Sequence, residues 1–386
     1  MKRILIIGAG FLQDFVIKKA KELGYYTIAI DGNADAIGLS HADKAAVVNI
    51  IDPEACYQFA AKEKIDGVLT AATDFGVIST SYIAERLNLP GLNLKAAKRI
   101  KNKFEVRRRF IEARVDDTKE AFEVDDMTDL SKLDIHFPVM VKPCDGSGSR
   151  AAGRADDFTE LCIACQTAVS SSLIKKALIE SFVYGCEYGA ESLVINGEIH
   201  VLGVMKKWMT DPPYYAELGH QIPSELPEAT EKKAMDCVRK AIQALDINHG
   251  AVNMDLLINE SGDVHIVDVG ARMGGNMIGP CVIPIGTGVA YMDNLIRTAV
   301  GDDPDWTRNT PRQVCTRLLA FKGGKIKTLP DFEHLMKEYG VTIYHHMHLG
   351  DVVNEYHTNL DGYGYIIASD CETADKVLAE VAVFVK

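Results

Sequence analysis

The chain has 386 residues, 47% of them hydrophobic, 25% charged and 8% aromatic. These proportions belong to a folded globular protein and exclude a disordered, collagen-like or disulfide-dense one. With 42 Lys and Arg against 54 Asp and Glu, the net charge of −12 argues against nucleic acid as a partner, while small anions can still find local cationic pockets.

Ile4–Ile7 is an unbroken apolar run, as in a parallel strand buried on both faces, and Gly8-Ala9-Gly10 follows it. The pattern continues with a helix over Phe11–Leu23, strands at Tyr26–Ile30, Ala45–Val48, Val68–Thr70 and Leu89–Pro90, and helices at Pro53–Lys62 and Gly76–Leu87. This βαβ alternation predicts a doubly wound parallel sheet. One long basic helix is expected from Leu94 to Ala113. Beyond it come a strand at Pro138–Pro143, a helix at Phe158–Val169 and a strand at Ala177–Phe182. Strands at Tyr188–Ile195, Glu198–Met205, Gly250–Ile258 and Val264–Val269 accompany a helix at Thr230–Leu245. Asn196-Gly197 and Asn259–Gly262 read as hairpin turns, so the second half is a mixed, largely antiparallel region.

No apolar stretch reaches membrane-spanning length, and the N-terminal apolar run lacks a small-residue cleavage site, so a soluble cytoplasmic protein is expected. The nine cysteines read as thiols of a reducing compartment. The CxxC at Cys162–Cys165 has no second pair at zinc spacing and fits a packed helix. His345-His346-Met347-His348 alternates as a strand would, placing His346 and His348 on one face, a weak metal pattern.

Four segments carry the chemistry. Gly8-Ala9-Gly10 with Asp31 is a partial dinucleotide fingerprint, but position 13 holds Gln13 where the third glycine belongs. Lys142 closes a strand directly before Asp145-Gly-Ser-Gly-Ser-Arg150; Gly146 and Gly148 let backbone N–H groups face an anion, while Ser147 and Ser149 add donors. Asp255 and Asp268 lie thirteen positions apart on two strands of one hairpin, where adjacent carboxylates need a cation and hard oxygens suit Mg²⁺. Arg272 follows in a glycine-rich loop, Gly270-Ala-Arg-Met-Gly274-Gly275-Asn276, where its fork suits a carboxylate or phosphate. Between them, Glu180-Ser-Phe182-Val183-Tyr-Gly-Cys-Glu187 suits a hinge offering backbone groups to an adenine edge and a carboxylate to a ribose.

Together these segments resemble the ATP-grasp superfamily over nearly the whole chain. The resemblance implies an α/β and α+β architecture: a Rossmann-like pre-ATP-grasp domain (1–93), an ATP-grasp N-terminal part with a small lid (94–184), a catalytic part (185–310) and a C-terminal extension (311–386) packed on it. It implies that Lys103 and Lys142 contact ATP phosphates, that Ser147, Gly148 and Ser149 cover them, that Glu180, Phe182 and Val183 surround adenine, and that Glu187 meets the ribose. Asp255 and Asp268 would bind Mg²⁺, with Mn²⁺ as a substitute. Gly-Ala-Arg-x-Gly-Gly, with Glu217-Leu-Gly-His220, Thr73-Asp74-Phe75-Gly76 and Leu89-Pro90-Gly91, is similar to the carboxylate–amine ligase branch that includes the L-amino-acid ligases. There Arg272, with the Gly274-Gly275 backbone, would grip the acyl substrate and its phosphorylated intermediate, and His220 would lie near the transferring phosphate.

The resemblance implies an ADP-forming ligase joining a small-molecule carboxylate to an amine through an acyl phosphate. His220 and Glu191 both stand as bases for the amine, and Glu191 as a substrate contact. Two features limit what the resemblance carries over: both metal ligands are aspartates where glutamate is usual at one or both positions, and Gly270, as generally in this branch, replaces the asparagine that many other ATP-grasp enzymes use as a further ligand. Carboxylases, purine-pathway ligases (with Arg107–Arg109 or Lys206–Lys207 for a phosphate) and a catalytically degraded nucleotide-binding protein share the fold. The region from about Pro311 would complete the catalytic domain or form a homodimer contact.

Overall fold

In the computed structural model, which describes residues 1–146, 150–212, 214–358 and 361–386, the first strands form where the chain is apolar on both faces. β1 (Arg3–Ile7), β2 (Tyr26–Asp31), β3 (Lys44–Val47) and β4 (Gly67–Thr70) make a parallel sheet in the order β3-β2-β1-β4. Ile4, Leu5, Ile6 and Ile7 are fully buried between flanking helices. The turn after β1 is filled by the chain itself. Gln13 donates from Nε2 to the Ala71 carbonyl (2.6 Å), and Asp31 accepts from the N–H groups of Ala9 (2.7 Å) and Asn33 (2.8 Å). The glycine pair and the acidic residue thus serve backbone closure rather than a dinucleotide.

Leu89–Pro90 is not a strand. The Leu89 N–H bonds back to the Ala84 carbonyl (2.8 Å), closing the helix Val77–Leu87 behind the left-handed Asn88, and Pro90 has no donor for a ladder. The long basic helix is two, Leu94–Ile100 and Lys103–Ala113. Asn102 breaks it by accepting from the N–H groups of Phe104 (3.0 Å) and Glu105 (3.2 Å), which makes Lys103 the first residue of a new helix.

β5 (Ala121–Val124), β6 (Val139–Pro143), β7 (Gly153–Ala155) and β8 (Ala177–Ser181) form a small antiparallel sheet in the order β5-β8-β6-β7, covered by the helix Phe158–Ser171. On that helix Cys165 is buried but Cys162 is exposed. The largest sheet takes β9 (Cys186–Ile195), β10 (Glu198–Met209), β11 (Glu217–Ile222), β12 (Gly250–Ile258) and β13 (Val264–Gly270). After β13 come β14 (Val314–Leu318), β15 (Lys322–Lys325), β16 (Thr342–His345), β17 (Val352–Glu355) and β18 (Gly364–Ala368); β15 and β17 pair apart. The large sheet runs β13-β12-β9-β10-β11-β14-β18-β16, so strands from beyond residue 310 extend it directly.

Cys315 on β14 and Cys371, which opens the helix Cys371–Ala382, form a disulfide, contrary to the all-thiol expectation. Its 56-residue separation leaves no spacing signal. β16 ends at His345, so His346 and His348 share no strand face. His345 stacks on Phe332 (3.9 Å) and His346 lies against Phe11 and Tyr363. Among the described residues no group of three His, Cys, Asp or Glu is arranged to hold a metal, and no helix is long and apolar enough to cross a membrane.

Candidate active site

The hairpin β12–β13 sets Asp255 directly opposite Asp268 in antiparallel register, and both side chains open to the cleft. Each is met by a lysine. Lys103 Nζ lies 2.5 Å from Asp268 Oδ1, and Lys207 Nζ lies 2.9 Å from Asp255 Oδ1. Lys207 is almost fully buried and also reaches Glu217 (2.6 Å) and Glu187 (3.4 Å). Four carboxylates (Glu187, Glu217, Asp255, Asp268) against two ammonium groups (Lys103, Lys207) leave this ion-paired cluster at −2. Burial pushes the Asp255 and Glu187 carboxyls up. Burial works the same way on Glu217, but Lys207 beside it prevails and holds it at about 2. The facing Asp255 and Asp268 carboxylates offer hard oxygens of the kind Mg²⁺ or Mn²⁺ takes, and among the described residues no third His, Cys, Asp or Glu joins them in a metal-holding arrangement.

Lys142 leaves the end of β6, and Lys103 is brought beside it because its N–H donates to the Cys144 carbonyl (2.7 Å). Lys142 Nζ pairs with Glu180 Oε1 at 2.8 Å, and Arg107 Nε pairs with Glu180 Oε2 at 2.7 Å. Burial would raise Glu180, yet Arg107 and Lys142 hold it at about 2. Its carboxylate is therefore committed within the protein. Above it, Phe182, Val183, Trp208, Met209, Leu257 and Val267 help line an apolar cavity of about 480 Å³. A second, polar cavity of about 280 Å³ holds Lys103, Asp255, Asp268 and Arg272. Lys142, Glu187 and Lys207 are the charged residues that line both, so an apolar slot opens into a charged chamber beside them. Ser147, Gly148 and Ser149 lie outside the described residues; Gly146 and Arg150 flank the chamber.

Arg272 is held from both sides. Its Nε donates to Asp74 Oδ1 (3.0 Å) and its Nη1 to Asn253 Oδ1 (3.3 Å). Asp74 comes from the loop after β4, which is joined to the arginine loop where the Ala72 N–H meets the Met273 carbonyl (3.0 Å). Burial would raise Asp74, but Arg272 prevails and its carboxyl is lowered. Gly270 has a physical reason: a Cβ there would come within 3.1 Å of the Arg272 Cζ, so the guanidinium takes the room of a side chain. Gly275 lies against Leu12 at the chamber wall.

Glu191 and His220 sit elsewhere than expected. Glu191 is fully buried behind the arginine loop, where it accepts from Asn253 Nδ2 (2.7 Å), the Gly274 N–H (3.1 Å) and the Tyr291 hydroxyl (2.5 Å). A Cβ on Gly274 would strike its Oε1, so Gly274 is the partner of Glu191 rather than an open substrate contact. Burial raises Glu191 to about 8. His220 is likewise buried, on β11 opposite Lys207, and lies behind Glu217, with Nε2 4.0 Å from Glu217 Oε2. Burial lowers it to about 4, so it is neutral near pH 7. Neither side chain lines the chamber.

From the sequence, Arg107 and Lys207 stood only as part of the Arg107–Arg109 and Lys206–Lys207 runs offered to a substrate phosphate, not as ion-pair partners of Glu180 and Asp255. Period-2 alternation along β10 and one helical turn from Lys103 were the available signals. Asn276 and Tyr365 were also missed. Asn276 donates to Glu217 and accepts from the Tyr365 hydroxyl (3.1 Å), forming a polar wall.

Residues 135–280 match the ATP-grasp domain family. Over that span the chain is similar to the ATP-grasp domain. Lys142, Glu180, Glu187, Asp255, Asp268 and Arg272 lie inside that span, and Lys103 precedes it. An uncharacterized protein of Sinorhizobium fredii is 24% identical over 315 residues, covering 79% of this chain and 64% of that one. A formate-dependent phosphoribosylglycinamide formyltransferase of Proteus mirabilis is 31% identical over 165 residues, 41% of either chain. The chain thus spans less than two thirds of the curated relatives it first matches. The fold matches the L-amino acid ligase of Bacillus licheniformis with a TM-score of 0.84 and 23% identity, over 100% of this chain and 98% of that one. The parallel sheet followed by antiparallel sheets is the mixed α/β fold class expected from the sequence.

Proposed function

We propose that this protein is an ATP-dependent carboxylate–amine ligase. Support comes chiefly from one arrangement: a buried arginine fork, Arg272, facing the Asp255–Asp268 pair and the lysines Lys103 and Lys142 in one chamber beneath an apolar slot. ATP would lay its adenine in the slot between the 182–183 segment and Trp208, its ribose near Glu187, and its phosphates toward Lys142 and Lys103. Asp255 and Asp268 would hold Mg²⁺, which when bound supplies positive charge to the phosphate oxygens. Arg272, oriented by Asp74 and Asn253, would present its remaining N–H groups to the substrate carboxylate. Phosphoryl transfer to that carboxylate gives an acyl phosphate and ADP, and the cationic chamber stabilises the charge that develops.

The second half is attack by a neutral amine on the acyl carbon. The C–O bond to phosphate breaks, the C–N bond forms, and the departing phosphate takes the amine proton. This assignment follows from the burial of His220 and Glu191, which leaves neither at the chamber wall. Such an ATP consumer works in the cytoplasm. The test is Mg²⁺-dependent phosphate release across paired carboxylates and amines, with bicarbonate as a control and ADP resolved from AMP. ADP and a condensed product of the expected mass support the ligase. ADP with bicarbonate alone indicates a carboxylase, and AMP rules out the acyl phosphate route.

A further inference from the structure

Arg107 sits one helical turn after Lys103, between Glu180 and the edge strand β13. It is 3% exposed. Its Nε pairs with Glu180 Oε2 (2.7 Å), its Nη1 with Asp116 Oδ2 (3.4 Å), and its Nη2 donates to the Ile266 carbonyl (2.9 Å). Asp116 Oδ2 in turn accepts from the Ile266 N–H (3.1 Å). Arg107 and Asp116 together thus satisfy both backbone groups that β13, at the sheet edge, turns outward at Ile266, two residues before Asp268. Through Glu180 the same guanidinium reaches Lys142 on the small sheet.

The charges along this line are Asp116 (−), Arg107 (+), Glu180 (−) and Lys142 (+), which sum to zero. His265, beside Asp116 at 3.3 Å, is held to about 4 by burial and by Arg107, so it adds no charge near pH 7. We propose that Arg107 is a positioning residue that keeps Lys142 available to a nucleotide phosphate, by sharing the Glu180 carboxylate and by tying the small sheet to the strand that carries Asp268. This rests on the ATP-binding reading given above. Without Arg107 the line carries −1, Glu180 belongs to Lys142 alone, and an incoming phosphate meets a neutralised lysine next to an uncompensated carboxylate in a poorly screened interior.

That charge balance makes a second-site rescue testable. Arg107→Met should weaken MgATP binding, measured by calorimetry, at least tenfold. Arg107→Met with Glu180→Gln returns the line to zero and should bind MgATP at least threefold more tightly than Arg107→Met alone. Arg107→Lys, which keeps the charge but not the fork, should fall between them, and it stands in if Arg107→Met does not fold. Wild-type affinity in Arg107→Met with only a lower Tm would overturn the proposal, as would a double variant no better than the single. A wild-type chain that fails to bind MgATP would instead bring down the ligase reading and this inference with it.

Discussion

Two buried ionic clusters flank the chamber, and they differ in charge. Around Glu180, cations and carboxylates alternate and cancel, and Glu180 stays ionised at about 2 despite burial. Around Asp255 the carboxylates outnumber the lysines, and burial pushes Asp255 and Glu187 up. A cancelled cluster holds its own geometry and fixes what is attached to it; a cluster short of positive charge has affinity left for a cation. The first is charge-balanced within the protein, and the second is the one in which the proposed function sets Mg²⁺.

The contrast can be broken most severely at Lys142, the member of the balanced cluster that faces the chamber. Lys142→Met should reduce Mg²⁺-dependent ADP formation by roughly 10²–10³-fold, the scale for one preorganised charge on a transition state. Turnover near wild type would remove Lys142 from the phosphate site. Asp255→Asn addresses the deficient cluster and needs no substrate. Millimolar Mg²⁺ should raise the Tm of the wild-type protein, because a ligand bound only to the folded state stabilises it, and should leave the Tm of Asp255→Asn unmoved. Equal Tm shifts in both proteins would place the cation elsewhere.

Glu191 sharpens the comparison as a third case, a buried carboxyl hydrogen-bonded but without an ion-pair partner. Its folded pKa of about 8 lies above the ordinary 4.5, so the folded state holds the proton more tightly. Between those values the unfolded chain has already released its proton, and stability therefore declines as pH rises, by at most about 1.4 kcal/mol per pH unit. Glu191→Gln should flatten that decline, so urea midpoints of variant and wild type should diverge in the variant's favour from pH 5 to pH 8.5. Parallel curves would show that Glu191 is ionised in the folded protein. The smallest effect is expected at Arg108, next in sequence to Arg107. Its partners Glu105 and Glu112 are exposed helix neighbours, so Arg108→Ala should leave both Tm and MgATP affinity at wild-type values within error.

That adjacent pair shows where sequence reading stopped. Arg107, Arg108 and Arg109 form one basic run, and only the helical spacing of Arg107 from Lys103 and Phe110 sets it apart. Arg107 is buried because its face of the helix meets Glu180 and Ile266, which lie 73 and 159 residues further along the chain. Arg272 is similar: its glycine-rich setting marked it, but the carboxylate that orients it, Asp74, is 198 residues away. His220 and Glu191 carried the right residue types for a base, and only their burial removed them from the chamber wall.

What the sequence determined by itself was whatever short-range periodicity and turn chemistry encode. The apolar runs of β1 and β2 specified a parallel sheet, Lys142 was marked by its strand end, and the Asn259–Gly262 turn with thirteen-residue spacing put Asp255 opposite Asp268. The break in the Leu94–Ala113 segment comes from Asn102, a capping residue type that helical composition alone does not reveal. Tertiary structure alone decided the counter-charges: which lysine faces which aspartate, which arginine is shared, and which carboxyl is buried beyond reach. Burial and long-range electrostatics depend on distances between segments that no local pattern records, and those distances set whether a charged group is balanced within the protein.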